Sequence, residues 1–288
     1  MTHQRVFSYM NIFSDYVVEF PLISAIIRSA RDAVAANKSL SVVDEELKRF
    51  LCSDEPVLIM NKCVAELAAN PDADPPFMTD GHIMLCNDFG GLAVAIGRTE
   101  AATSQSPLYS STSEALLGCL SSEGFSYRFH DIPADWNPEV FSLETRLGAP
   151  QQRHCAWGET VLAPPTSVFD YASSGSLVLK IVAPSKVGLM WEFSRADLTA
   201  MRVHAATLQS TTVSFILRFL SKYGNQDSVG AISHLVTHPF HHVRWDVAKA
   251  LGQCDVEALS IVLDKLKDDP HPHVRAASQK TLAQMGDA

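Results

Sequence analysis

The sequence is poor in the features that would announce a chemistry. It has no G-x-S-x-G elbow, no Walker-type G-x-x-x-x-G-K-[ST] loop, no G-x-G-x-x-G turn and no H-E-x-x-H helix. The commonest nucleophile, phosphate, dinucleotide and zinc-hydrolase templates are therefore unsupported. Its six cysteines (Cys52, Cys63, Cys86, Cys119, Cys155, Cys254) are scattered, without a C-x-x-C or a zinc-type spacing, as expected of buried thiols in a reducing compartment. Basic charge is scarce: 23 Lys and Arg stand against 32 Asp and Glu, a net charge of −9. That sign argues against a general affinity for nucleic-acid backbone. Long apolar runs are missing as well. The longest, around Tyr16 to Ile27, is broken by Glu19 and Pro21 and is too short to span a bilayer. No basic segment leads into an apolar core at the N-terminus, so a signal peptide is not expected. The expected setting is cytoplasmic, with no membrane and no nucleic-acid partner.

What is present is an ordinary globular composition, 47% hydrophobic and 19% charged over 288 residues, long enough for about two domains with their own cores. The first part reads as helix. Leu22, Ile26, Ile27 and Ala30 recur at helical spacing behind Pro21, and Ser41 to Glu46 resembles a cap with acidic residues in the first turn. A third helix is expected over 57–69. The breaker-rich stretch Asn70 to Pro76 then marks a boundary. Beyond it come short β-like runs: Ile83–Cys86 and Leu92–Ile96 around Gly90-Gly91, then Phe125–His130, Phe141–Arg146, Thr160–Leu162, Ser176–Ile181 and Leu189–Phe193. Strands at such spacing favour a sandwich or barrel over a parallel α/β sheet. The polar tract Thr99 to Ser113 reads as an exposed loop. From Ala205 the pattern returns to helix, with Gly224 as a C-cap glycine and two helix pairs after it, about 227–237 with 240–252 and 255–267 with 271–285.

The last two pairs repeat. His238-Pro239-Phe240-His241-His242-Val243-Arg244 recurs thirty-one residues later as Asp269-Pro270-His271-Pro272-His273-Val274-Arg275. Ile232 and Leu235 fall in register with Leu263 and Leu266, and Leu220 with Leu251 and Leu282. A period near thirty with helix-turn-helix units is the sequence form of an α-solenoid. The segment resembles the HEAT-repeat family in its short bacterial form, also seen in phycobilisome-lyase-like repeats, whose pattern is D-P-x-x-x-V-R-x-x-A-x-x-x-L. Asp269, Pro270, Val274, Arg275 and Leu282 match it, as do Pro239, Val243, Arg244 and Leu251; Ser278 for Ala and His238 for Asp depart. The resemblance implies that Pro239, Val243, Arg244, Asp269, Pro270, Val274 and Arg275 are framework residues, Val in the inter-helix core and Arg tying neighbouring turns. So few repeats must lean on another surface, so a protein partner or a second copy of the chain is expected.

A weaker resemblance lies upstream. Gly158-Glu159-Thr160-Val161-Leu162-Ala163-Pro164 has the G-x-x-x-x-x-P spacing of the second cupin motif, and Phe169 stands where that family carries a metal-binding His. Of the first motif, only Glu114 and Gly118 fit. The resemblance implies a jelly-roll barrel without the usual catalytic metal. No cofactor and no metal are expected. The expected architecture is therefore α+β: a helical segment (1–76), a β-barrel or jelly-roll, cupin-like body (77–203) and an α-solenoid of HEAT-like repeats (204–288).

The expected function is a non-catalytic protein-interaction or regulatory module. The competing reading is an enzyme or small-ligand binder acting in the barrel, through His130, His154, Glu144 and Arg128. These supply two imidazoles, a carboxylate and a guanidinium on neighbouring strands, if the polar face of 126–130 turns inward.

Overall fold

The computed structural model describes residues 19–69, 78–79, 82–88 and 91–286. The expected boundary at Asn70–Pro76 and Gly90 lie outside the described residues. The chain divides into two compact units: Met1–Ala134 with Glu144–Lys186 and Glu192–Ala200, and Asp135–Leu143 with Val187–Trp191 and Met201–Ala288.

In the first unit, α1 (Pro21–Ala35) buries Ile23, Ile26, Ile27 and Ala30 on one face, with Pro21 in its first turn. It closes on a left-handed Asn37, φ 50°, with the Lys38 amide donating to Ala33 and the Asn37 amide to Val34, a Schellman ending. Its N-terminal amides are capped from far along the chain. The Glu55 carboxylate accepts from Leu22 and Ile23 at 2.8 and 3.1 Å. Glu55 opens α3 (Glu55–Ala69), which follows α2 (Asp44–Leu51).

These helices cover one face of a six-stranded antiparallel sheet. Its strands are β1 (Met78–Thr79), β2 (His82–Asn87), β3 (Ala93–Arg98), β5 (Ala115–Cys119), β8 (Thr160–Ala163) and β10 (Leu177–Val182), in the order β1-β2-β3-β10-β5-β8. Period-two alternation sends Leu116, Leu179 and Ile181 into the core under the helices, with Ile26, Leu47 and Phe50. The alternate residues Leu117, Cys119 and Val178 enter a second core with Phe125 and Tyr127. Those rings come from a three-stranded sheet, β6 (Phe125–His130) between β7 (Pro150–Cys155) and β9 (Val168–Tyr171).

Strand β4 (Leu108–Tyr109) joins β11 (Leu189–Phe193) and β12 (Ala200–Ala205) in a third sheet. The body is thus built of separate antiparallel sheets, two of them stacked, and among the described residues no closed barrel forms.

Two local expectations are corrected. Phe141–Arg146 forms no continuous strand: the Phe141 ring packs on Trp191 with centroids 5.0 Å apart, and only the end of the run pairs, Arg146 making an isolated antiparallel bridge to Thr199. The tract 99–113 is more than an exposed loop. It holds β4 and the buried Thr99, Leu108 and Ser110, and Thr99 exchanges backbone bonds with Gly175 and Ser176.

In the second unit the helices fall close to their expected places: α4 (Leu208–Tyr223), the short α5 (Val229–Ile232) flanked by 3-10 turns, α6 (His241–Cys254), α7 (Val256–Leu266) and α8 (Pro272–Gly286). Gly224 is the C-cap of α4, its amide donating to Leu220, and a side chain there would collide with Cys254. The core is assembled from equivalent positions of the two copies, with Ile232, Val243 and Leu251 beside Leu263 and Val274. Thirty-one residues before the buried Val247 the register is looser, since Ile216 is half exposed and Leu217 is buried in its stead.

Candidate functional site

The polar residues expected to meet inside the body do not share one place. On β6 it is Phe125, Tyr127 and Phe129 that pack with Phe169 and Tyr171 of β9, ring centroids 5.2–5.7 Å apart. Arg128 and His130 therefore point to the other side of that sheet. His154 pairs across from Ser126, four positions along the strand from His130, or about 13 Å at the usual rise. It is exposed, with its ring above Gly124. Glu144 is exposed too, in the segment between β6 and β7. Arg128 lies 3.6 Å from Asp170, which also accepts from Arg195 at 2.6 Å. His130 is buried among these charges, and burial holds its imidazole below the ordinary value against the pull of Asp170.

His154 instead borders a cleft of about 500 Å³ with Tyr127, Glu159, Asp44 and Lys48. There Asp44 and Lys48 pair at 2.7 Å. Burial alone would raise the Asp44 carboxyl, but bonds from Lys48 and Thr160 outweigh it and lower it.

The cupin-like positions are taken up by packing. Phe169 sits in the aromatic cluster. Glu114 turns to the helices, accepting from the Ser39 hydroxyl at 2.7 Å and the Leu40 amide at 2.9 Å. At Gly118 a side chain would strike Leu51 of α2. Among the described residues no three His, Cys, Asp or Glu side chains are grouped to hold a metal ion.

In the second unit both arginines bond to the turns that precede them. Arg244 Nη1 donates to the carbonyls of His238 and Pro239 at 2.8 and 2.9 Å, and Arg275 Nη1 to those of Asp269 and Pro270. Arg244 also forks onto both Asp269 oxygens, at 2.8 and 2.7 Å, the bidentate geometry that suits a guanidinium. Burial would raise the Asp269 carboxyl; Arg244 and the His271 amide outweigh it and hold it below the usual range.

The histidines of the turns have separate tasks. His238 accepts the Phe240 amide at 3.1 Å through Nδ1. His241 and His271 stack face to face, centroids 3.6 Å apart. Both bind one residue that sequence reading missed: His241 Nδ1 donates to the Glu139 carboxylate at 3.0 Å, and His271 Nε2 to the Glu139 carbonyl at 2.7 Å. Glu139 also accepts from the Gly188 amide at 2.6 Å. Around it, Pro138 accepts from the Trp191 indole at 2.7 Å. The segment 135–143 is thereby strapped to both repeat turns. No local signal in the sequence points to Glu139, since its partners are 49 to 132 residues away.

Beside this stack runs a groove of about 760 Å³ lined by one face each of α4, α6 and α8. The thirty-one-residue register explains which side chains line it. Thr211, His242 and His273 occupy one repeated position, and Phe215, Asp246 and Ala277 another. Arg218 and Lys249 occupy a third, and Lys280 is next in that series. His242 is half-buried there, pushed down to about 4 by burial first and by neighbouring His241 second.

The repeat can now be placed by comparison. Residues 214–283 match the family model of HEAT repeats. The match begins within α4 and ends within α8. A comparison with curated proteins gives no match. Among solved structures, the chain is similar to a hydroquinone 1,2-dioxygenase from Sphingomonas sp. TTNP3, at 16% identity over 42% of this chain and 72% of that one, TM-score 0.26. It is also similar to the DMSP lyase DddQ from Ruegeria pomeroyi DSS-3, at 12% identity over 36% and 46%, TM-score 0.24. The chain spans less than half the length of that lyase. Matches this partial carry no weight for activity.

Proposed function

We propose that this protein is an interaction module whose HEAT repeats hold an extended segment of a partner protein in the groove of α4, α6 and α8. The supporting observation is the groove itself, in which the same repeat positions of successive helices line one continuous cavity. Stacked repeats offer extended faces of this kind to ligands. The balance of eight Lys and Arg against eight Asp and Glu from His204 onward favours a protein partner over nucleic acid. Cytoplasmic residence is part of the same reading, as is the absence of catalysis by the sheet body. Among the described residues no helix is long and apolar enough to cross a membrane.

The test is capture from native lysate with the whole chain as bait, in parallel with a Phe215→Asp variant. Phe215 is 69% exposed, so the variant keeps the fold. Proteins retained by the parent chain and lost by the variant support the reading; retention by both sinks it.

A second reading has its own observation. The cleft beside His154 gathers an imidazole, a phenol and carboxylates, a set able to bind a small polar ligand or move a proton. A metabolite screen by thermal shift, repeated on His154→Ala, tests it; a stabilising compound that ignores the substitution counts against it.

A further inference from the structure

The proposal above leaves the partner's chemistry open, and the groove narrows it. The chain carries a net charge of −9, yet the groove runs the other way. Its lining carries two cations, Arg218 and Lys249, against a single carboxylate, Asp246. That carboxylate pairs with Lys249 at 2.7 Å, and the half-exposed ammonium keeps further N–H donors for a second carboxylate. The cations are also ordered. Arg218, Lys249 and Lys280 are thirty-one residues apart, one per repeat at the same helical position, and Arg218 and Lys280 are exposed. Between them Phe215 and Trp245 add aromatic surface to the lining.

The spacing selects a backbone. Packed helices lie about 8–10 Å apart, so neighbouring cations of the series are separated by about that distance. A β-strand brings a side chain back to the same side every two residues, about 6.7 Å. A polyproline-II segment does so every three, about 9.3 Å, which fits. Aromatic faces are also the usual seats for such segments.

Resting on the groove reading, we infer that the HEAT repeats recognise an acidic, proline-containing segment in polyproline-II form, with a carboxylate at every third residue set against Arg218, Lys249 and Lys280. Attraction of this kind selects partners by sign and weakens with salt.

The experiment uses the full chain and fluorescence anisotropy of labelled peptides. One peptide repeats Glu-Pro-Ala four times; the others replace every Glu by Gln or by Lys. The Glu peptide is expected to bind at least about tenfold more tightly than the Gln peptide, and the Lys peptide more weakly still. Arg218→Glu combined with Lys280→Glu, both on exposed positions, is expected to abolish Glu-peptide binding and restore binding of the Lys peptide. Circular dichroism confirms that the variant is folded. Equal binding of the Glu and Gln peptides overturns the acidic preference while the groove reading stands. Failure of every peptide, whatever its charge, overturns both. A single-stranded oligonucleotide bound more tightly than the Glu peptide also overturns the inference, because the basic series would then be reading phosphates.

Discussion

The turn at 238–244 and the turn at 269–275 share Pro, Val and Arg at matching positions and differ at the first, His238 against Asp269. Both first residues cap the amide two places on: His238 Nδ1 accepts from Phe240 at 3.1 Å, and Asp269 Oδ1 from His271 at 2.8 Å. Only Asp269 has a second task, holding the guanidinium of Arg244 from the preceding repeat. The position equally far before His238 is Val213, which offers no guanidinium. In this chain Asp269 is therefore half of a two-repeat device, whereas His238, with no arginine supplied from before it, only caps its turn. A turn cap alone can be met by an imidazole.

The largest test of this contrast is Asp269→Ala. The ion pair is buried, with side chains 11% and 2% exposed, and removing one partner of such a pair costs about 3–5 kcal/mol. His238→Asp, by the same argument, gains no guanidinium partner beyond what the turn already has and shifts stability by less than about 1 kcal/mol. Urea unfolding followed by circular dichroism measures both. Similar losses from the two substitutions would falsify the two-repeat account.

The helix pairs were legible because the thirty-one-residue period repeats apolar positions, while a framework role for the arginines came only from the resemblance to the HEAT pattern. Other features depend on contacts that sequence distance conceals. Alternation along Phe125–His130 was plain, but it does not say which side faces the core; the five rings of β6 and β9 decide that by burying together. His241 and His271 are not equivalent positions of the two copies, so their stack is invisible to repeat alignment, and Glu139 reaches them from a loop with no periodic signal. The series Arg218, Lys249, Lys280 could have been read from the register alone. It was obscured by the more conspicuous histidines.

Those histidines sharpen the comparison through pH, with a middling effect. His242 has an ordinary value of 6.5 and a folded value of about 4. Between these the unfolded chain binds the extra proton, so stability is full above 6.5 and falls as pH drops towards about 4. Asp269 acts in a separate, lower window: its folded carboxyl lies below 3.8, so its contribution persists down to that pH and is lost beneath it. Acidification should therefore weaken the repeats in two steps, the upper set by imidazole and the lower by the Arg244 pair. His242→Leu is expected to shrink the upper step and leave the lower unchanged in melting curves taken at pH 7, 5 and 3. His238 and His271, also lowered by burial, keep the upper step from vanishing. An unaltered upper step would remove His242 from the account.

The smallest effect belongs to the other departure from the family pattern, Ser278. It is fully buried, and its counterpart thirty-one residues earlier is Val247, also fully buried. A buried hydroxyl among apolar side chains is costly unless bonded. Ser278 Oγ meets that need by donating to the Leu263 carbonyl of α7 at 2.7 Å. That carbonyl already accepts the Lys267 amide at 2.9 Å, so it does not depend on the hydroxyl. Ser278→Ala removes donor and oxygen together and leaves no polar group orphaned, so its cost should stay within about 1 kcal/mol. Asp269→Ala, by contrast, leaves a buried guanidinium without its charge partner. The two substitutions, at positions of one short motif, thus test the same rule from opposite sides. A loss at Ser278 approaching that at Asp269 would mean that the bond to α7 joins the second repeat's two helices as firmly as Arg244 joins its turns.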